Sequence, residues 1–303
     1  MNLELLSIQM FILLIIILVG YLCGKARLLT NELQTQLSSL VLQVGIPAMI
    51  LASVSEGENL SFSSLLLYLC SFFAFNLLMG IVSYLTVYIT REKQDKNLYQ
   101  FMYMFSNIGF MGLPVVNATL GAQATLYAAL FLLPSNLMLF TYGEYLMKEE
   151  HTFSLKNLLT MPVIASLMAI VLCVANVHLP YAFEQAFTYL GNITTPLAML
   201  IIGSSLVDLP QMNVKNALNM LVFVFLKLLV LPLGYWLILY CLGVPKLIQT
   251  VLVLLSAMPV ASNVVIYANI YKKNTVLASQ ASVITSIACV ATIPLVFGLI
   301  SLF

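Results

Sequence analysis

Apolar runs of about twenty residues follow one another along almost the whole chain, separated by short polar or charged joints. Ten such runs are legible. They lie at 5–24, 33–54, 62–90, 98–120 and 122–147, then at 160–177, 183–207, 215–242, 247–271 and 275–302. Each is long enough to be a transmembrane helix. The second is the least clean, because Gln34, Gln36, Ser38, Ser39 and Gln43 make its beginning polar.

Two of the runs are interrupted. The stretch 105–121, FSNIGFMGLPVVNATLG, carries Asn107, Gly109, Gly112 and Pro114 within eight residues. The stretch 255–271, LSAMPVASNVVIYANIY, carries Pro259, Ser262 and Asn263. Proline removes a backbone donor and crowds the preceding turn, and glycine loosens a helix further. Freed backbone groups are tolerated in a bilayer only where protein or an aqueous cavity satisfies them. Each stretch therefore predicts two half-helices meeting near mid-membrane. Interrupted spans at matching places in two halves point to the binding site of a secondary transporter.

The composition agrees. With 62% hydrophobic and 8% charged residues over 303 positions, the chain reads as a polytopic, all-α membrane protein with no room for a sizeable soluble domain. A net charge of +1 gives no basis for a nucleic-acid partner. The five cysteines lie in apolar runs without metal-ligand spacing and read as small buried hydrophobes. The first run is too long, and its start too poor in positive charge, for a cleaved signal peptide. Lys and Arg are asymmetric. The odd-numbered joints hold Lys25, Arg27, Arg91, Lys93, Lys96, Lys148, Lys156, Lys215, Lys272 and Lys273, and the even-numbered joints hold only Lys246. Positive joints stay cytoplasmic, which puts both termini outside and the chain in the plasma membrane.

The halves also echo each other. IPAMILAS around Pro47 resembles TPLAML around Pro196, 149 residues on, and Pro114 and Pro259 are 145 residues apart. Both landmarks give a repeat of about 147 residues, at 1–150 and 151–303, with five spans each. An odd number of spans inverts the second copy. The joint 148–157 is short, so the repeats form one unit.

In such a repeat the broken spans cross. Pro114 and Pro259 suit the first turn of an outgoing half-helix, where a missing N–H costs nothing. The free amides that follow carry partial positive charge, for which a carboxylate is the natural ligand. Asn107 and Asn263 add side-chain amides, with Ser106 and Ser262 beside them. Lys227 stands alone in FVFLKLLVLPLG, at least about twelve residues, or roughly 18 Å, from either end of its run. An ionisable residue at that depth is a functional candidate, here for charge compensation or coupling. Glu144 and Asp208 fall near span ends and read as solvated. Paired carboxylates, HExxH and Ser–His arrangements are absent from the runs, which argues against an enzyme, a metal site or a cofactor. A channel is the competing class, but no ring of pore residues or filter-like carbonyl run supports it.

At these residues the chain resembles the auxin efflux carrier family. Asn107 to Pro114, followed by Gly121, looks like that family's fourth-helix motif, and Ala257 to Pro259 with Val264, Ala268 and Tyr271 is similar to its ninth. The resemblance implies ten helices in two inverted five-helix repeats, related to bile-acid symporters and sodium/proton antiporters. It implies a scaffold at about 5–54 and 160–207, with Pro47 and Pro196 facing the site, and a moving transport domain at about 61–147 and 215–303. Homodimers through the scaffold and elevator-type alternating access are implied as well. The short central joint resembles microbial members, for which malate, malonate or an auxin-like acid is the expected cargo. A sodium- or proton-coupled symporter of the bile-acid type is the alternative.

Overall fold

A computed structural model describes residues 3–55, 62–90, 95–148, 160–175, 177, 179–208, 214–261 and 263–301. Ser262 lies outside these residues, as do Arg91, Lys93 and Lys156 of the charged joints. Helix occupies all ten stretches expected to span. In order these are α1 (Leu3–Lys25), α2 (Asn31–Leu40) running into α3 (Ile46–Ser55), and α4 (Phe62–Thr90). Next come α5 (Lys96–Met104), α6 (Leu113–Met138) and α7 (Glu144–Met147), then α8 (Met161–Val174) and α9 (Tyr181–Ser205). The chain closes with α10 (Val214–Phe225), α11 (Leu231–Cys241), α12 (Lys246–Ser256), α13 (Asn263–Ile270) and α14 (Thr275–Ile300). Among the described residues six helices are long and apolar enough to cross a membrane: Glu32–Val54, Leu66–Thr90, Ile108–Met147, Tyr181–Ser205, Leu218–Cys241 and Thr275–Ile300. Large apolar side chains such as Phe11, Leu22, Ile89, Val171 and Leu221 point outward, as a lipid-facing surface requires.

The polar beginning of the second run is helical nonetheless. Thr30 caps α2 by accepting from the Leu33 amide at 3.4 Å, and Gln34 returns its side-chain amide to the Leu29 carbonyl at 3.3 Å.

Among the described residues there are four five-residue π turns, at Val41–Gly45, Ile108–Gly112, Leu139–Gly143 and Leu226–Val230. All but Leu139–Gly143 are followed by one residue and then a proline: Pro47, Pro114 and Pro232. A proline ring inside a helix crowds the carbonyl four residues back. That carbonyl belongs to Gln43, Phe110 or Leu228, each inside its π turn, so widening the turn relieves the clash without breaking the helix.

At Gly121 α6 is not one helix. Its φ of 80° and ψ of −174° form a backbone that only glycine adopts readily. Thr125 Oγ1 donates to Asn117 Oδ1 at 3.1 Å. Eight residues of straight helix would separate the two by about 12 Å. The chain therefore reverses at Gly121, on the boundary read between the fourth and fifth runs.

Close packing of small residues joins α1, α3, α8 and α9. A Cβ on Gly203 would lie 1.9 Å from the Ile17 carbonyl oxygen, and one on Gly20 would lie 2.3 Å from that of Leu200. Backbones of α1 and α9 thus touch directly, the small-residue route to helix association in lipid. Gly191 does the same against Met49 of α3. The α6 helix packs on α3 and α8, and also on α4 and α12. Glu144 corrects the solvated reading: it is 4% exposed and paired with Lys148 one turn later.

Candidate functional site

Between α5 and the Ile108–Gly112 turn the chain is extended at Phe105, pairs at Ser106 and turns tightly at Asn107, where φ is −76° and ψ 68°. Between α12 and α13 it is extended around Val260. These two segments cross as a short antiparallel pair centred on Ser106 and Val260. The Asn107 amide donates to the Pro259 carbonyl at 2.8 Å, and the Ala261 amide donates to the Phe105 carbonyl at 3.1 Å. Four half-helix ends converge there: the C-termini of α5 and α12, the start of the Ile108–Gly112 turn, and the start of α13.

The prolines play different parts from those expected. Pro259 lies in the crossing segment and supplies an acceptor, whereas Pro114 lies one turn inside its outgoing helix and widens the turn before it. The pairing of Ser106 with Val260 is centred on the crossing, where Pro259 lies and Pro114 does not.

Asn107 is 9% exposed, and its carbonyl accepts from the amides of Gly112 at 2.8 Å and Met111 at 3.3 Å. The Ile108 amide turns back to the Ser106 carbonyl at 2.8 Å. Among the described residues no acceptor meets the amides of Gly109 and Phe110, which are half-buried. A Cβ placed on Gly109 would meet nothing within 4 Å, so open space adjoins the backbone at that point. Gly112 differs, since a Cβ there would lie 2.9 Å from the Leu255 side chain. One glycine leaves room and the other lets the two broken helices touch.

Asn263 is half-buried as the first residue of α13. The Ile108–Gly112 turn packs against α9 and the Val41–Gly45 turn. Pro47, just after that turn, is buried, whereas Pro196 in α9 is exposed.

Lys227 joins the crossing from α10–α11. It is 1% exposed, in the π turn Leu226–Val230. Its Nζ donates to the Tyr103 carbonyl at 2.9 Å, in the last turn of α5, and to Ser106 Oγ at 2.8 Å. The Ser106 hydroxyl in turn donates to the Ser256 carbonyl at 3.2 Å, at the last residue of α12. From the other side Thr285 of α14, fully buried, accepts from the Val260 amide at 3.1 Å and donates to its own Ala281 carbonyl at 2.6 Å. Sequence reasoning missed Tyr103, Ser256 and Thr285. The first two act through backbone carbonyls, and a threonine in an apolar helix ordinarily bonds its own preceding turn, as Thr285 also does.

The crossing thus offers amides with no acceptor among the described residues beside open space, at a break in an apolar helix, with the Lys227 ammonium hydrogen-bonded into it. The sequence profile of the membrane transport protein family matches residues 5–154 and 149–297. The chain belongs to this family, the auxin efflux carriers. It is also similar to an uncharacterized transporter of Methanocaldococcus jannaschii, 25% identical over 293 residues, spanning 91% of this chain and 92% of the relative. Membership makes the protein an integral membrane transporter, in keeping with its apolar helices.

Proposed function

We propose that this auxin efflux carrier family member is a secondary carrier for a small organic anion, bound at the crossing of the broken helices. The carrying observation is the pair of amides at Gly109 and Phe110, with no acceptor among the described residues and with open space beside Gly109. The beginning of a helix carries about half a positive charge, so two free N–H groups there suit a carboxylate. Asn107 and Asn263, one on each outgoing half-helix, supply polar contacts from both sides, with Ser262 next to Asn263.

The reading extends to ten spans in two inverted repeats, with termini outside the plasma membrane. The crossing of two broken helices, one from each half of the chain, supports the repeats. The close packing of α1, α3, α8 and α9 supports a rigid scaffold, against which the crossing and its neighbours move in an elevator-type exchange of access. That scaffold is also the surface for a homodimer. Pro47 carries the scaffold's approach to the crossing, since the turn before it packs on Ile108–Gly112; Pro196 lies exposed on α9.

Uptake of labelled malate, malonate, indole-acetate and bile acid into proteoliposomes tests the proposal. Saturable, competitive uptake of a carboxylate is expected. Non-saturating flux at channel rates, or saturable uptake of neutral solutes only, overturns it.

A further inference from the structure

The contact that the transport reading leaves unused is the buried link from Lys227 to both incoming half-helices. The α5 and α12 helices run into the crossing with their carbonyl ends foremost, and each such end carries about half a negative charge. A partial charge of that kind buried in a bilayer needs a counterpart. Lys227 supplies one to α5 directly through the Tyr103 carbonyl. It supplies one to α12 at second hand, because Ser106 receives its N–H and passes its own O–H to the Ser256 carbonyl. Among the described residues Lys227 has no carboxylate partner. Its oxygen neighbours are a carbonyl and a hydroxyl, both hard donors of the kind a small cation takes.

From this geometry we infer that Lys227, extended by Ser106, is a built-in monovalent cation that holds the two carbonyl ends together, so that the carrier works without a bound inorganic cation. The inference rests on the anion-carrier reading only for its consequence in transport. Two carbonyl ends of about −0.5 each cancel two amide ends of about +0.5 each. The ammonium then leaves the crossing with about one positive charge, matched by one carboxylate of the cargo. Removing the amine leaves the anion without its counter-charge unless a cation enters with it.

The test is thermal unfolding of the purified full chain in nanodiscs, with sodium, methylammonium or choline chloride at equal ionic strength. Wild-type Tm is expected to be the same in all three salts. Lys227→Ala, which opens room where the amine stood, is expected to lose roughly 5 °C or more in choline, since two buried acceptors lose their donor. It is expected to regain most of that loss in sodium or methylammonium at about a hundredfold excess over the dissociation constant. Lys227→Met fills the same room without charge and is expected to be destabilised and insensitive to all three cations. Ser106→Ala is expected to add little to Lys227→Met, because the link is already cut.

A wild-type Tm that rises in sodium overturns the inference, as does a Lys227→Met protein as stable as the parent. Fully additive effects of Ser106→Ala and Lys227→Met overturn the Ser106 extension. If Lys227→Ala does not fold, the wild-type salt comparison and the Lys227→Met and Ser106→Ala pair still decide. Melting needs no cargo, so failure of this inference is distinct from failure to find a transported anion.

Discussion

The Asn107 amide meets the Pro259 carbonyl at 2.8 Å, so the two broken helices hold each other through backbone groups. With the reciprocal bond from Ala261 to Phe105, this makes the crossing a single piece. The backbone pairing does not run through the side chains of either segment, and the substitutions below separate side-chain work from the fold.

Asn107→Ala and Asn263→Ala are expected to weaken cargo binding by about ten- to hundredfold, the worth of one hydrogen bond to a charged group. Because the backbone pairing survives, Tm is expected to shift far less than affinity. Binding measured by competition, beside Tm from the same preparation, checks this. Parental affinity in both variants places the cargo elsewhere.

The two glycines of the Ile108–Gly112 turn are expected to respond in opposite ways. Gly109→Ala puts a methyl into open space, so stability should hold while anion uptake falls. Gly112→Leu drives a side chain into Leu255 and Met258, an overpacking worth roughly 1–3 kcal/mol. Fluorescence-detected thermal stability and initial uptake rates, measured together, tell the two apart. Unchanged uptake in a stable Gly109→Ala protein would count against the open space as the cargo site.

Thr285→Val removes the acceptor of the buried Val260 amide while keeping the side-chain shape. An orphaned buried donor costs about 1–3 kcal/mol, so a clear fall in Tm is expected. Thr285→Ser keeps the hydroxyl and should stay near the parent. Equal stability of the Val and Ser variants would show that the amide has another partner.

Gly203→Ala is expected to be among the most damaging single-methyl changes in the chain. Its Cβ would lie 1.9 Å from the Ile17 carbonyl oxygen, where only backbone movement makes room. By contrast, Gly234→Ala meets nothing within 4 Å and serves as the control. Monodispersity and Tm in detergent give the comparison, and equal behaviour of the two variants would refute close α1–α9 contact.

The helices were legible because apolar length alone reveals them in a lipid solvent, and the breaks were legible because Asn, Gly and Pro are costly inside such helices. Lys227 stood out for the same reason. The roles of the prolines were not legible. A proline that widens a turn and a proline that lends its carbonyl to a crossing strand look alike in sequence, so Pro114 and Pro259 were matched as equivalents. Thr285 and Ser256 were hidden because one carries a common hydroxyl and the other contributes a carbonyl that every residue has. The burial of Glu144 was missed since its partner Lys148, one turn later, reads as an ordinary charged end.

Gly121 leaves no slack. A single residue, with Cα atoms about 3.8 Å from its neighbours, reverses the chain between the helix leaving the crossing and the helix running through Pro134 to Glu144. The Asn117–Thr125 bond pins the arms of that reversal together. The hairpin therefore ties the helix that leaves the crossing directly to the helix that ends near the Glu144–Lys148 pair, with a single residue and no loop between them.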